Sequence, residues 1–187
     1  MKRDSSEFYV DGEFLVEVAR NAYFEMMEQF HYPVTEKLRA DMWATDFGLG
    51  DFVNVGMAGI FWVNKQQEGY FAHEIYLLPE QMIVEHAHEA CGNGTAKHES
   101  WHVRHGLIYT FAEGENSEPL PVRLPESQAA FITSKTCQLV PEGEIAELNR
   151  LTAKHFMIGG PAGAIVTEYG TYHDNDGLRF TNADVQF

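Results

Sequence analysis

The sequence predicts an all-β domain of the jelly-roll or sandwich kind with two helices at its N-terminal end. Three observations lead there. Helical spacing of apolar residues stops before Gly50. From Val53 onward the apolar runs are short and rich in Val, Ile, Phe and Tyr. Those runs are separated by Gly, Pro, Asn and acidic residues, as strands are by turns.

The first helix is expected over residues 11–30, where Leu15, Val18, Ala22, Met26 and Phe30 recur at the i, i+3, i+4 spacing of one helical face. After the His31-Tyr32-Pro33 break, Thr35 can cap a shorter helix running to about Trp43, and the Gly48-Leu49-Gly50 turn ends the helical region. Strands are expected over 55–64, 70–78, 81–88, 99–104, 106–112, 132–139, 144–149 and 162–170. The breaks between them fall at residues 64–69, Cys91-Gly92-Asn93-Gly94, Glu113-Gly114-Glu115-Asn116, Pro141-Glu142-Gly143 and Gly159-Gly160-Pro161. This divides the chain into a helical extension, 1–50, packed on a β-barrel, 51–187.

Composition removes several function classes. The 187 residues carry 13 Lys and Arg against 28 Asp and Glu, a formal net charge of −15, so the basic footprint of a nucleic-acid binder is missing. No apolar run is long enough to span a membrane, and the opening MKRDSSEF turns acidic before a signal core could form, so a cytoplasmic protein is expected. Cys91 and Cys137 are too few for a disulfide scaffold and read as free thiols. The glycine-rich segments lack the Lys-Ser/Thr of a phosphate loop, and no Gly-x-Ser-x-Gly elbow is present.

The strongest chemical signal is Glu85-His86-Ala87-His88. Residues two apart on a strand project to the same face, so both imidazoles can reach one metal ion. Glu99 follows after a glycine-containing loop, with Gly106 beyond it, and His155 lies near the end of the β region. Three imidazoles and a carboxylate suit a borderline divalent ion: manganese first, with iron, cobalt, nickel and zinc as alternatives. An octahedral ion so held keeps open positions, which points to catalysis rather than to a closed structural site.

Two histidines, a carboxylate and a distant third histidine resemble the metal-binding pattern of the cupin superfamily. Within it, the chain is similar over residues 35–187 to the D-lyxose ketol-isomerases. The matching stretches are Asp46-Phe47-Gly48-Leu49-Gly50, Glu74-Ile75-Tyr76-Leu77-Leu78-Pro79-Glu80-Gln81, Glu85-His86-Ala87-His88, Lys97-His98-Glu99-Ser100-Trp101, Thr152-Ala153-Lys154-His155-Phe156 and Val166-Thr167-Glu168. The resemblance implies a cupin-type barrel, a metal-dependent aldose–ketose isomerase, a homodimer and a small sugar as substrate. It makes His86, His88, Glu99 and His155 the metal ligands and Glu168 the acid/base carboxylate, with Glu99 able to assist. The chain departs from the family at His73, where a lysine is usual.

Strand parity places His73 with Ile75 and Leu77, Glu168 with Val166, and Glu99 with Trp101 and Val103 on inward faces, and sends His98, His102 and Arg104 outward. His73 and Trp101 are therefore candidate substrate contacts. Lys97 is a further candidate, although a solvated loop lysine is the simpler reading. His173, Asp174 and Asp176 lie in a polar loop that either covers the pocket or is a plain turn. Two other readings remain open: a metal-dependent cupin oxygenase or lyase, and a noncatalytic sugar-binding cupin, against which an inward Glu168 would argue.

Overall fold

The computed structural model describes residues 3–92 and 95–187. Asn93 and Gly94, in one of the expected turns, lie outside the described residues, as do Met1 and Lys2. In chain order the elements are β1 (Tyr9–Val10), β2 (Glu13–Phe14), α1 (Val16–Gln29), α2 (Glu36–Asp41), β3 (Trp43–Thr45), β4 (Met57–Lys65), β5 (Tyr70–Leu77), β6 (Met82–His88), β7 (Glu99–Ala112), β8 (Thr136–Pro141), β9 (Ile145–Glu147), β10 (His155–Thr171) and β11 (Leu178–Phe180). Short 3-10 turns occupy Ser5–Phe8 and Asn175–Gly177. Among the described residues no helix is long and apolar enough to cross a membrane.

Four local expectations are corrected. Helix α1 begins at Val16, not at residue 11, because β1 and β2 form a hairpin whose turn is Asp11-Gly12, both at positive φ. Asp-Gly between paired residues is a strong two-residue hairpin signal, and it overrides the helical spacing around it. Helix α2 stops at Asp41, and Trp43–Thr45 pairs with β4 as an edge strand. The expected strands 99–104 and 106–112 are one strand, β7, and Gly159-Gly160-Pro161 lies inside β10 rather than between strands.

Both long strands bend where they face each other. A Cβ on Gly106 would lie 2.2 Å from the Gly163 carbonyl oxygen, and one on Gly163 would lie 2.4 Å from Met26 Sδ and 2.6 Å from the Leu77 carbonyl oxygen. Both glycines have positive φ, which a residue with a Cβ adopts only at a cost. The bulge lets β10 pair with β7 along its length while its other edge switches from β6 to β5. One sheet therefore curls on itself into the cupin-type barrel. We expect Gly163→Ala to destabilise the protein by about 1–3 kcal/mol, seen as a lower urea midpoint at unchanged slope.

The apolar residues separate into an inside and an outside core. Inside the barrel Ile75, Leu77, Val84, Val103 and Val166 pack together. On the outer face of β4 and β5, Ala58, Ile60 and Tyr76 meet Ala19, Tyr23, Met26 and Met27 of α1 and Leu38 of α2. Strand β5 is thus buried on both faces, which is why its sequence does not alternate cleanly. Burying each large side chain of α1 contributes roughly 1.5–3 kcal/mol. The buried Gln81 joins the helix to the barrel: Tyr23 Oη donates to its Oε1 at 2.6 Å, and its Nε2 donates to the Phe52 carbonyl at 2.5 Å.

Candidate metal centre and active-site cavity

Strand register, more than sequence proximity, assembles the site. His86 and His88 share the inner face of β6, and His155, the first residue of β10, pairs directly with His86 across the ladder. Directly opposed residues have Cβ atoms about 4.5–5.5 Å apart, and the His86 and His155 ring centroids are 4.4 Å apart. Ligand nitrogens of His86, His88 and His155 all lie within 4.8 Å of one another, a cluster able to hold a metal ion. Glu99, the first residue of β7, completes the group: its Oε1 is 3.2 Å from His88 Nε2 and its Oε2 3.1 Å from His155 Nε2.

The donor set fits a cation. His86 Nδ1 lies 2.8 Å from the Val84 carbonyl oxygen and His155 Nδ1 2.9 Å from that of Ala153, so Nδ1 donates in both rings and the neutral form of each turns its Nε2 lone pair to the cluster. His88 Nε2 and Glu99 Oε2 are buried and, although each has a cluster atom 3.1–3.2 Å away, neither makes a well-aligned hydrogen bond, an arrangement that an ion shared by the cluster would relieve. Burial, then the neighbouring His155 and His88, holds His86 well below the usual imidazole value, so its ring is neutral and able to ligate. Burial opposes ionisation of Glu99, but Lys97, followed by His88 and His155, holds its carboxyl well below the usual range. Burial likewise opposes protonation of His155, and Glu99 outweighs it and raises the ring.

Lys97 corrects the loop-lysine reading. It is 3% exposed, and its Nζ donates to Glu99 Oε1 at 2.8 Å and Glu168 Oε1 at 3.2 Å while resting 3.8 Å from the centre of the Phe71 ring. Burial works against its charge, yet Glu168 and then Glu99 keep its pKa above the ordinary lysine value, so it stays an ammonium. Glu168 pairs in register with His73 on β5 and with Trp101 on β7. His73 Nδ1 lies 2.9 Å from Glu168 Oε2. The His73 ring stacks on Phe61 and Trp43 with centroids 4.5 and 5.6 Å away. Its Nε2 packs so closely over Gly59 that a Cβ there would lie 2.2 Å from it.

The eight residues proposed from the sequence as ligands, acid/base group or substrate contacts, His73, His86, His88, Lys97, Glu99, Trp101, His155 and Glu168, line one cavity. Glu85, beside the histidines, does not: its carboxylate accepts from Thr133 N and Oγ1 and Ser134 N at 2.7–3.1 Å and anchors the loop before β8. Of the outward histidines, His98 is exposed; farther along β7, His105 stacks on Phe30 outside the barrel. Sequence reasoning missed the aromatic wall of Trp43, Phe47, Phe61, Phe180 and Phe187. It also left His173 undecided, and the structure puts that ring in the wall. Burial, then the charge of Lys97, pushes His173 down to about 4, so it is neutral near pH 7.

No protein-family model matches the chain. It is 30% identical over 165 residues to the D-lyxose/D-mannose isomerase of Thermosediminibacter oceani, covering 87% of this chain and 88% of the relative. To the D-lyxose ketol-isomerase of Cohnella laeviribosi it is 29% identical over 168 residues, covering 90% and 91%. Among solved structures, the L-ribose isomerase of Acinetobacter sp. DL28 in complex with L-ribose shares the fold, with a TM-score of 0.68 at 16% identity over 90% of this chain and 91% of that one. The curled barrel and the near full-length match at 30% identity lead to one conclusion: the chain belongs to the D-lyxose/D-mannose isomerase family, sugar isomerases that interconvert aldoses and ketoses on a cupin-type barrel.

Proposed function

We propose that the protein is a manganese-dependent isomerase of D-lyxose/D-xylulose or D-mannose/D-fructose type, working as a cytoplasmic homodimer. The observation that carries this reading is the placement of Glu168 in the same cavity as the three-histidine cluster, joined to it through Lys97 and Glu99. A second buried carboxylate beside the cluster supplies the proton-transfer group that isomerisation needs and simple metal-assisted binding does not require. His86, His88 and His155 would hold the ion through Nε2, and Glu99 through Oε2, the oxygen that Lys97 leaves free. A bound divalent ion supplies Lewis-acid stabilisation of negative charge growing on the sugar oxygens.

The chain's own residues supply the rest. Turning an aldose into a ketose moves one hydrogen from C2 to C1 and one from O2 to O1. Glu168 is the base for the carbon-bound hydrogen, taking it as a proton at C2 and returning it at C1. Its two oxygens are held separately, Oε1 by the Lys97 ammonium and Oε2 by His73 Nδ1, and each retains lone-pair capacity for the proton. Lys97 also lies between two carboxylates whose like charges would otherwise oppose each other. His73, whose Nδ1 faces Glu168 while its Nε2 is buried over Gly59 without a hydrogen-bond partner, positions Glu168. Trp101, beside His155 with ring centroids 5.4 Å apart, walls the metal side and presents an apolar face to the sugar.

The test is the metal content of the purified protein together with aldose–ketose interconversion of D-lyxose and D-mannose under an oxygen electrode. Manganese at one ion per chain and ketose formation without oxygen uptake support the proposal. Oxygen consumed with the sugar would make the protein an oxygenase, and absence of ketose from either sugar would remove the assignment. In solution, a light-scattering mass near twice the 21.2 kDa of one chain is expected.

A further inference from the structure

Outside the metal cluster three polar atoms of the cavity-wall residues are buried and without a hydrogen-bond partner: His73 Nε2, which is packed over Gly59, and His173 Nδ1 and Trp43 Nε1, whose residues do not pair with Glu168. The latter two side chains flank Phe61, with ring centroids 5.5 Å from it for His173 and 6.0 Å for Trp43. His173 stacks on Phe71, the ring under Lys97, and meets His88 edge-on at 5.6 Å. It therefore borders both the metal cluster and the acid–base pair. An indole N–H can only donate. With Nε2 of His173 2.7 Å from Asn175 Oδ1, the ring proton faces Asn175 and Nδ1 is left as an acceptor.

The His173 position is built rather than incidental. Asn64 Nδ2 donates to the His173 carbonyl and His173 N donates to Asn64 Oδ1, both at 3.0 Å, so one side-chain amide copies the paired bonds of an antiparallel ladder. Tyr172 N donates to the Gly69 carbonyl at 3.1 Å and ties the same loop to the hairpin between β4 and β5. The loop is thus fastened to the barrel on the side where the wall is otherwise aromatic.

We propose that this donor and acceptor form the subsite that reads the sugar hydroxyls beyond C2, and that His173 is its specificity-determining residue. The inference rests on the isomerase reading above. A hydroxyl gives and takes hydrogen bonds, so sugar hydroxyls seated along Phe61 can donate to His173 Nδ1 and accept from Trp43 Nε1. A sugar lacking the hydroxyl that His173 accepts from, or holding it on the other face, leaves Nδ1 buried and unpaired. Sites built this way discriminate far better than apolar walls do.

The experiment compares wild type, His173→Phe and Asn175→Ala on D-lyxose, D-mannose and analogues deoxygenated at single carbons beyond C2. In wild type one deoxy analogue should lose about 10²-fold or more in kcat/KM. In His173→Phe the parent sugar should lose a similar factor, mainly through KM, and that deoxy analogue should lose little more. Asn175→Ala, which keeps the nitrogen but frees the ring, should fall between them. Calorimetric binding of a linear pentitol makes the same comparison without turnover and should weaken roughly 10-fold in His173→Phe. An undiminished penalty for the deoxy analogue in His173→Phe would overturn the subsite, and so would loss of bound metal, which would make His173 a ligand. If wild type converts no sugar, the isomerase reading fails, while unchanged pentitol binding would separately sink the subsite.

Discussion

Glu168→Gln is expected to lower kcat by about 10²–10⁴-fold, the usual contribution of a positioned general base. The fold should survive, because the amide oxygen can still accept from His73 Nδ1 or from Lys97, and the change in volume is negligible. Bound metal should also be unchanged, since Glu168 lies on the far side of Lys97 from the cluster. The measurement is kcat for ketose formation beside metal content and melting temperature. Isomerisation in deuterium oxide adds a second readout: solvent deuterium should enter the carbon skeleton in wild type. Near-normal turnover in Glu168→Gln, or a product free of solvent deuterium with a rate insensitive to the substitution, would remove the carboxylate from its role as base.

His86→Ala and His155→Ala should each weaken metal binding by more than the roughly 10–100-fold that loss of an outer partner costs, and abolish isomerisation at ordinary metal concentrations. Each removes one of three nitrogens that lie within 4.8 Å of one another. The two positions come from different strands, β6 and β10, so a common loss would show that the ladder pairing builds the site. His98→Ala serves as the control, because His98 is exposed and sends its side chain out of the barrel. Metal analysis after exhaustive dialysis checks all three. Full occupancy in either ligand variant, or a loss in His98→Ala equal to theirs, would show that the ion is held elsewhere.

Much of the site is legible in the sequence because strand parity is a local property. His86 and His88 share a face wherever residues 82–88 are extended, and Glu99, Trp101 and Val103 share another, since successive side chains alternate along any strand. The spacing of α1 was legible for the same reason, as the face of a helix follows from the positions of its own apolar residues. Even the hairpin overlooked at Asp11-Gly12 was present in the sequence as a two-residue turn signal.

Long-range pairing was not written locally. Nothing near His155 says that it stands opposite His86, or near Glu168 that it stands opposite His73. Those pairings follow from the register of β10 against β6 and β5, set by a bulge at glycines that look like a break between strands. Lys97 reads as a solvated loop residue because lysine is seldom buried, and only two carboxylates brought from elsewhere in the chain make its burial tolerable. His173 sits in a polar stretch that could have been any turn, and Asn64, more than a hundred residues earlier, holds it against the cavity. Periodicity assigns a residue to a face. Which faces meet depends on closing the sheet, and there the energy of burying a charge or an imidazole is decided by partners that no local window contains.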